Sequence, residues 1–347
     1  MAATGPMRRA HRLPVAMVVT GLAILLLGVA LASLSLGASG VLPWDGWRRM
    51  LTPAETAILY NIRLPRLILG GLVGAGLAVS GVLMQGLFRN PLADPALIGV
   101  SAGAGLGAVT AIVLGGLMPV TVQALAGMYM APLFAFCGGG ATTLILYRLA
   151  SLRGHTSVTT MLLAGIVLGA LANAIMGILI FIADDRQLRD LTFWGLGSLA
   201  GTNWAKLMAA APILILGLAA APFLARGLNA LAMGEPAARH MGTPVETIKR
   251  GAIFAVAAMT GAAVAVSGGI GFVGIVAPHV LRLAIGPDHR ALIPASALFG
   301  AALLITADTV ARLIVAPAEL PIGILMALIG APVFLWLLLA RRPGTGM

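Results

Sequence analysis

The chain has 347 residues, of which 60% are hydrophobic and 10% are charged, and its formal net charge is +11. Ordinary globular domains carry about 25% charged residues, so this composition and a mean hydropathy of +1.03 exclude a soluble domain. Lipid offers the backbone no hydrogen-bond partners, and the composition therefore predicts an all-α polytopic membrane protein of about ten transmembrane helices.

Apolar runs without charged residues, separated by glycine, proline and polar residues, predict a single transmembrane domain over residues 15–340. We place the ten spans at 15–36, 65–86, 96–115, 121–147, 156–182, 205–225, two within 251–281 divided at Ser267–Gly271, 291–311 and 321–340. The first run is longer than the roughly 7–15 apolar residues of a signal peptide, which favours a retained span. Residues 1–14 and 341–347 are then short terminal segments.

The distribution of charge predicts the orientation of the chain in the membrane. Ten spans place both termini on one side, and 14 of the 22 basic residues fall on that side with four acidic residues. The other side has eight basic and seven acidic residues. The positive-inside rule therefore predicts that both termini are cytoplasmic. The net charge reflects topology, so we expect membrane lipid and no nucleic acid around this chain.

A short internal match suggests two pseudo-repeated halves. The letters AVSG occur at Ala78–Gly81 and again at Ala265–Gly268. Duplicated halves are common in transporters, although a match of four letters can arise by chance in so biased a composition. Pairs of glycines four residues apart predict close helix packing, whatever the origin of the match. These pairs are Gly70 with Gly74, Gly103 with Gly107 and Gly165 with Gly169.

The sequence lacks the motifs of several kinds of chemistry. Its only lysines, Lys206 and Lys249, do not follow the glycine-rich pattern of a nucleotide-hydrolysing loop, and no cluster has zinc-ligand spacing. We expect no enzyme activity and no bound cofactor or metal. Asp308 and Arg312, one helical turn apart, predict an ion pair, and Cys137 is expected to pack as a small buried residue. Because acidic residues within the spans are scarce, we expect any transport to be driven by a partner.

The predicted cytoplasmic loop 229–250 is polar, and its sequence favours a short helix between Gly234 and Gly242. Such a helix, lying along the membrane surface, would present Glu235, Arg239 and His240 to a partner. The alternative is an ordinary solvated connector.

Seven motifs occur in order along most of the chain: RLPR, GLFRNPLADPALIGVSAGAGLGAV, LTFWGLGSLAGTNW, GEPAARHMG, GFVGIVAPHVLR, GPDHR and LPIGILMALIGAPVFLWLL. With these motifs the chain resembles the permease family of iron-chelate, haem and vitamin B12 ABC importers. The resemblance implies a homodimer in the bacterial inner membrane with two cytoplasmic ATPase subunits, which use ATP and magnesium, and a periplasmic substrate-binding protein.

The same resemblance implies three functional regions. Docking of the binding protein would use Arg63, Arg66 and Arg312. Coupling to the ATPase would use Gly234, Glu235, Ala238, Arg239, His240 and Gly242. The cytoplasmic gate would lie at Asn90, Leu92, Ser157, Thr159 and Thr160.

The cargo is the finer question. The segment Ala183–Trp204 is more similar to haem permeases than to cobalamin permeases, so we expect haem, with a ferric siderophore or cobalamin as alternatives. His279 and His289 could lie on the substrate pathway, because imidazole ligates haem iron, or have a structural or gating role. An ion-coupled secondary carrier and a passive membrane scaffold are the alternatives from other classes.

Overall fold

The computed structural model describes residues 13–37, 42, 44–45, 51–95, 99–152, 155–316 and 318–340. The first half contains α1 (Val15–Ser35), α2 (Pro53–Ala57), α3 (Leu64–Phe88), α4 (Val100–Leu114), α5 (Val120–Ala126), α6 (Met130–Ala150) and α7 (Val158–Phe181). The second half contains α8 (Asp185–Gly195), α9 (Trp204–Leu231), α10 (Glu235–His240), α11 (Val245–Ser267), α12 (Val273–Ile285), α13 (His289–Ile314) and α14 (Ile322–Ala340). Two short strands, β1 (Ser151–Leu152) and β2 (His155–Thr156), pair antiparallel between α6 and α7.

The helical membrane fold predicted from the sequence is confirmed. Among the described residues, eight helices are long and apolar enough to cross a membrane, and α12 and α14 are shorter apolar helices at the positions of the eighth and tenth predicted spans. The side of the membrane on which the termini lie stays a prediction, and residues 1–12 and 341–347 lie outside the described residues.

Three boundaries differ from the predicted spans. The second span does not begin at 65, since α2 leads through a π-helical segment, Ile58–Arg63, directly into α3. The fourth does not run unbroken from 121, because Gly127 adopts a φ of +45° and separates α5 from α6. The sixth continues to Leu231 despite two internal prolines, since α9 keeps its helical backbone through both.

Helix α3 is the central element of the bundle, and it packs against α9, α11, α12 and α13. Two of its glycines allow the closest approaches, because a β-carbon at Gly74 would collide with the backbone of Gly300 and one at Gly81 with the backbone of Gly274. Close backbone approach of this kind is how membrane helices gain packing contacts without a hydrophobic driving force. The packing role expected for Gly74 is confirmed.

The two AVSG segments do not occupy matching places. Ala78–Gly81 lies in the interior of α3, whereas Ala265–Gly268 spans the end of α11, where Gly268 leaves the helix with a φ of +69°. The four-letter match therefore carries no evidence for a repeat.

Large apolar faces remain uncovered in the single chain. On α7, the side chains of Leu163, Ile166 and Val167 are all more than half exposed. Cys137 of α6 is also exposed, so the expectation that it is buried is wrong for the isolated chain, since no other helix among the described residues covers that position. Such faces require lipid or another protein subunit.

Candidate functional sites at the two ends of the bundle

The helices alternate in direction, which divides the predicted functional residues between two ends. We call the end at which α3, α6, α9 and α14 begin the Arg66 end, and the opposite end the coupling-loop end. Predicted docking residues lie at the first, and predicted coupling and gate residues lie at the second.

Arg66 is the centre of a buried ion-pair network at the Arg66 end. Its Nη2 lies 2.8 Å from Asp308 Oδ1 and its Nη1 lies 2.8 Å from Glu319 Oε1. The carboxylate of Asp308 also forms an ion pair with Arg312, whose Nε lies 3.2 Å from Oδ2. The ion pair expected between Asp308 and Arg312 is therefore present, with Arg66 as an additional partner.

The other contacts of this network join the end of α1 to it. Arg312 Nη2 donates to Ser33 Oγ at 3.0 Å, and Arg63 donates from Nη1 to the carbonyl oxygen of Leu34. Arg63 and Arg66 are only 7% and 8% exposed. The three predicted docking arginines thus lie together, but their guanidinium groups already have partners within the chain.

At the coupling-loop end, α10 is a single short helix whose ends are set by two glycines. Gly234 has a φ of +99° and Gly242 a φ of +76°, a region that favours glycine. The structure confirms the short helix expected within the loop 229–250. Ala238 is buried, whereas Arg239 and His240 are exposed.

A second ion-pair network anchors α10 to its neighbours. Lys249 of α11, with a side chain only 2% exposed, places Nζ 2.7 Å from Glu235 Oε1 and donates to the carbonyl oxygen of Thr156 at 2.7 Å. Glu246 Oε2 accepts from the backbone N–H of Thr156 at 3.0 Å. Arg239 lies 3.6 Å from Glu235 and 3.7 Å from Glu246. Lys249, Glu246 and Thr156 were not among the predicted site residues, although Lys249 was a usable signal as one of only two lysines in the sequence.

The predicted gate residues form two local structures at the same end. Asn90 Oδ1 accepts from the backbone N–H of Leu92 at 3.0 Å, which closes the turn after α3. Ser157 caps α7, since its Oγ accepts from Thr160 N at 3.2 Å and lies 2.9 Å from Thr160 Oγ1. Thr159 is exposed beside this cap. The hydrogen bonds found in the described part of the chain do not join the two groups.

His289, the first residue of α13, contacts both α9 and α3. Its backbone N–H donates to Asn229 Oδ1 at 3.0 Å, and its Nδ1 lies 2.7 Å from the same oxygen. Its Nε2 lies against Gly86 of α3, where a β-carbon would not fit. These contacts place the imidazole between α9 and α3.

His279 is buried within α12, at 6% exposure. Within the described ranges, no group of three or more histidine, cysteine, aspartate or glutamate side chains could hold a metal ion. The role of each histidine, structural or on the substrate pathway, stays a prediction.

Asp288, the residue before α13, ties this helix to α9. Its Oδ1 accepts from the backbone N–H of Arg290 at 3.0 Å and from Asn229 Nδ2 at 2.6 Å. These hydrogen bonds, the backbone one first, lower the pKa of the carboxyl group below its ordinary value of 3.8.

Comparisons with known proteins agree with this architecture. The FecCD transport family matches residues 24–340. The hemin transport system permease protein HmuU of Yersinia pestis is 46% identical over 325 residues, which cover 92% of this chain and 95% of that protein. The vitamin B12 import system permease protein BtuC of Escherichia coli is 42% identical over 324 residues, with coverage of 92% and 94%. A solved inward-facing conformation of a metal-chelate type ABC transporter has a TM-score of 0.83 at 32% identity, covering 94% of this chain and 99% of that one.

Proposed function

This chain belongs to the FecCD transport family of ABC importer permeases, and from that premise we propose that it carries haem from the periplasm to the cytoplasm. The observation that carries the cargo is the identity of 46% to a hemin permease along 92% of this chain, against 42% to a vitamin B12 permease over the same share. The segment Ala183–Trp204, which is similar to haem permeases, supports the same cargo.

The working assembly that we propose is a homodimer in the bacterial inner membrane with both termini in the cytoplasm. Two ATPase subunits, which hydrolyse ATP with magnesium, bind the coupling-loop end, and a periplasmic substrate-binding protein delivers the cargo to the Arg66 end. Uncovered apolar faces support the need for lipid and a second subunit. The topology supports the assignment of ends, since basic residues are concentrated on the side of the coupling loop.

We assign coupling to α10 with its flanking glycines. Arg239 and His240 are exposed to a partner, while Glu235 is fixed to Lys249 of α11 at 2.7 Å. A force on α10 would reach α11 and β2 through these short contacts, and β2 leads directly to the cap of α7 at Ser157. This connection gives the proposed gate at the start of α7 a physical link to the ATPase.

We assign docking to the arginine network at the Arg66 end. Acidic side chains of a binding protein would approach Arg63, Arg66 and Arg312, where charge complementarity governs orientation and association rate. These arginines are largely buried and already paired. An incoming carboxylate must therefore share or replace the contacts that Asp308 and Glu319 already make.

Cobalamin is the second candidate cargo, supported by the 42% identity to vitamin B12 permeases, and a ferric siderophore is the third. An ion-coupled carrier is less well supported. Its coupling acid would have to titrate within the membrane, whereas Asp308, a buried acid, is held between two arginines.

A cargo assay on the partner binding protein tests the proposal. The protein encoded beside this permease is titrated with haem, cobalamin and a panel of ferric siderophores, and binding is measured by calorimetry. Preferential binding of haem supports the proposed cargo. Preferential binding of cobalamin or a siderophore contradicts haem as the cargo and identifies another cargo of the same family.

A further inference from the structure

A cavity of about 530 Å³ lies at the Arg66 end, between the start of α6, the end of α8, the start of α9 and the end of α11. None of the docking, coupling or gate residues predicted from the sequence lines it. Its volume falls within the roughly 300–1,000 Å³ of small-molecule sites in proteins.

The lining of the cavity combines aromatic rings with one cation. Tyr129, Phe193 and Trp194 contribute rings to the wall, and Lys206 lies in the first turn of α9. Ser198 also faces the cavity, and its Oγ accepts from the backbone N–H of Ala200 at 3.0 Å, which leaves the hydroxyl proton to be donated to a ligand. The wall therefore suits a molecule with an apolar body and a negatively charged group.

Lys206 has no ion-pair partner among the residues that the structure describes. Glu319 lines the same cavity, but its Oε1 is already bound by Arg66 Nη1 at 2.8 Å. None of the ion pairs between described residues includes Lys206, which is half-buried. A cation in an apolar wall is costly unless a counter-charge approaches it. An anionic ligand in the cavity would supply that counter-charge.

We infer that this cavity receives an amphipathic carboxylate, a flat apolar ring system with an acidic side arm, and that Lys206 binds the carboxylate. This inference rests on the proposed function, since haem has an apolar macrocycle and two carboxylates. Phe193 and Trp194 would contact the ring, and Ser198 would donate a second hydrogen bond to the acid. Cobalamin, whose side arms are neutral amides, offers Lys206 no carboxylate.

The test measures binding to the permease–ATPase complex in nanodiscs by quenching of tryptophan fluorescence. The probes are iron protoporphyrin IX and its dimethyl ester, which lacks the negative charges. Wild type is expected to bind the free acid about tenfold more tightly than the ester, as a charge-assisted hydrogen bond implies. Lys206→Gln is expected to abolish this preference and Lys206→Arg to keep most of it. The matched control is Arg189→Gln, an exposed cation of α8 that does not line the cavity, which should keep the full preference.

Equal affinity of wild type for the acid and the ester overturns the inference without reference to any variant. Displacement of both porphyrins by added anionic lipid, with no preference for the acid, assigns the cavity to a lipid headgroup and also overturns it. Haem uptake by the complete transporter tests the proposed function separately. If haem is taken up but the ester is taken up equally well, the role of Lys206 is wrong and the proposed function stands. If cobalamin is taken up and haem is not, both the proposed function and the role of Lys206 are wrong.

Discussion

The two ends of the bundle each contain an ion-pair network, and the networks differ in which charge is shared. At the Arg66 end, one buried acid, Asp308, is shared by two arginines, Arg66 and Arg312. In the network of α10, one buried cation, Lys249, is shared by two acids, Glu235 and Glu246. Two cations around one acid suit the docking of an acidic partner that we propose for the Arg66 end. Two acids around one buried cation hold α10 on the helices behind it.

This difference also predicts which substitutions reduce the stability of the permease and which reduce its recognition of a partner. Removing the shared cation of the α10 network leaves two acids without it and destabilises the fold. Removing one arginine at the Arg66 end leaves Asp308 with the other, so the loss of stability is expected to be smaller while recognition is weakened. Three predictions test this distinction and a fourth concerns the tie between α9 and α13, from the largest expected effect to the smallest.

Lys249→Met is expected to have the largest effect on stability. The side chain is 2% exposed, and its loss leaves Glu235 and the carbonyl oxygen of Thr156 without their buried partner. Breaking a buried pair in this way costs about 3–5 kcal/mol. Thermal unfolding of the purified permease in detergent measures the loss. Adding Glu235→Gln to this variant should recover part of it, and an unchanged melting temperature for Lys249→Met contradicts the role of the network.

Arg66→Met is expected to destabilise the permease less, by about 2 kcal/mol, because the Glu319 side chain is 39% exposed and can be solvated. The same measurement of thermal unfolding applies. Arg63→Met is the matched variant, since Arg63 lies in the same network and donates to the carbonyl oxygen of Leu34. It should lower stimulation of ATPase activity by the binding protein more than it lowers the melting temperature. The reverse order of the two variants in stability argues against a central role for Arg66.

Arg239→Gln is expected to change stability by less than about 1 kcal/mol, because exposed ion pairs contribute little, and the Arg239 side chain is 51% exposed. Its effect should fall on the interaction with the ATPase. Affinity between permease and ATPase, measured by surface plasmon resonance at two salt concentrations, is expected to decrease and to become less dependent on salt. If the variant binds the ATPase with the affinity of wild type, Arg239 is not part of the interface.

The smallest effect concerns pH. Asp288 has a pKa lowered by its hydrogen bonds, so its contribution to stability is complete above its ordinary pKa of 3.8 and is lost as the pH falls through the lowered value. Asp288→Asn should therefore reduce the melting temperature slightly at pH 7 and bring it toward that of wild type near pH 3. A difference that grows toward acid pH contradicts the sign of this shift.

The extent to which the sequence predicts this structure differs between spans and contacts. Charge-free apolar runs are a direct consequence of the lipid environment, and they locate the membrane helices. A search for apolar runs does not find α8, since Asp185–Gly195 is too polar for a membrane span. This helix begins instead with a capping box between Asp184 and Gln187. Breaks such as that at Gly127 depend on a single backbone conformation.

The candidate sites were predicted only in part, because their contacts join distant segments. Arg66 and Asp308 are 242 residues apart, and Lys249 and Thr156 are 93 apart. Charge and motif can mark Arg66 or Glu235 as notable residues, but only the packing of α3 on α13 and of α11 beside β2 shows their partners. For the same reason, the spacing of Lys206 and Glu319 in the sequence could not predict that both residues line one cavity.

The central claim is that this permease imports haem with energy from a partner ATPase. The most direct measurement is uptake of haem and of cobalamin into proteoliposomes that contain the permease, its ATPase and its binding protein. We predict haem uptake that requires ATP and magnesium, is unaffected by collapse of the proton gradient and exceeds cobalamin uptake. Uptake that persists without ATP but stops when the proton gradient collapses would contradict the account.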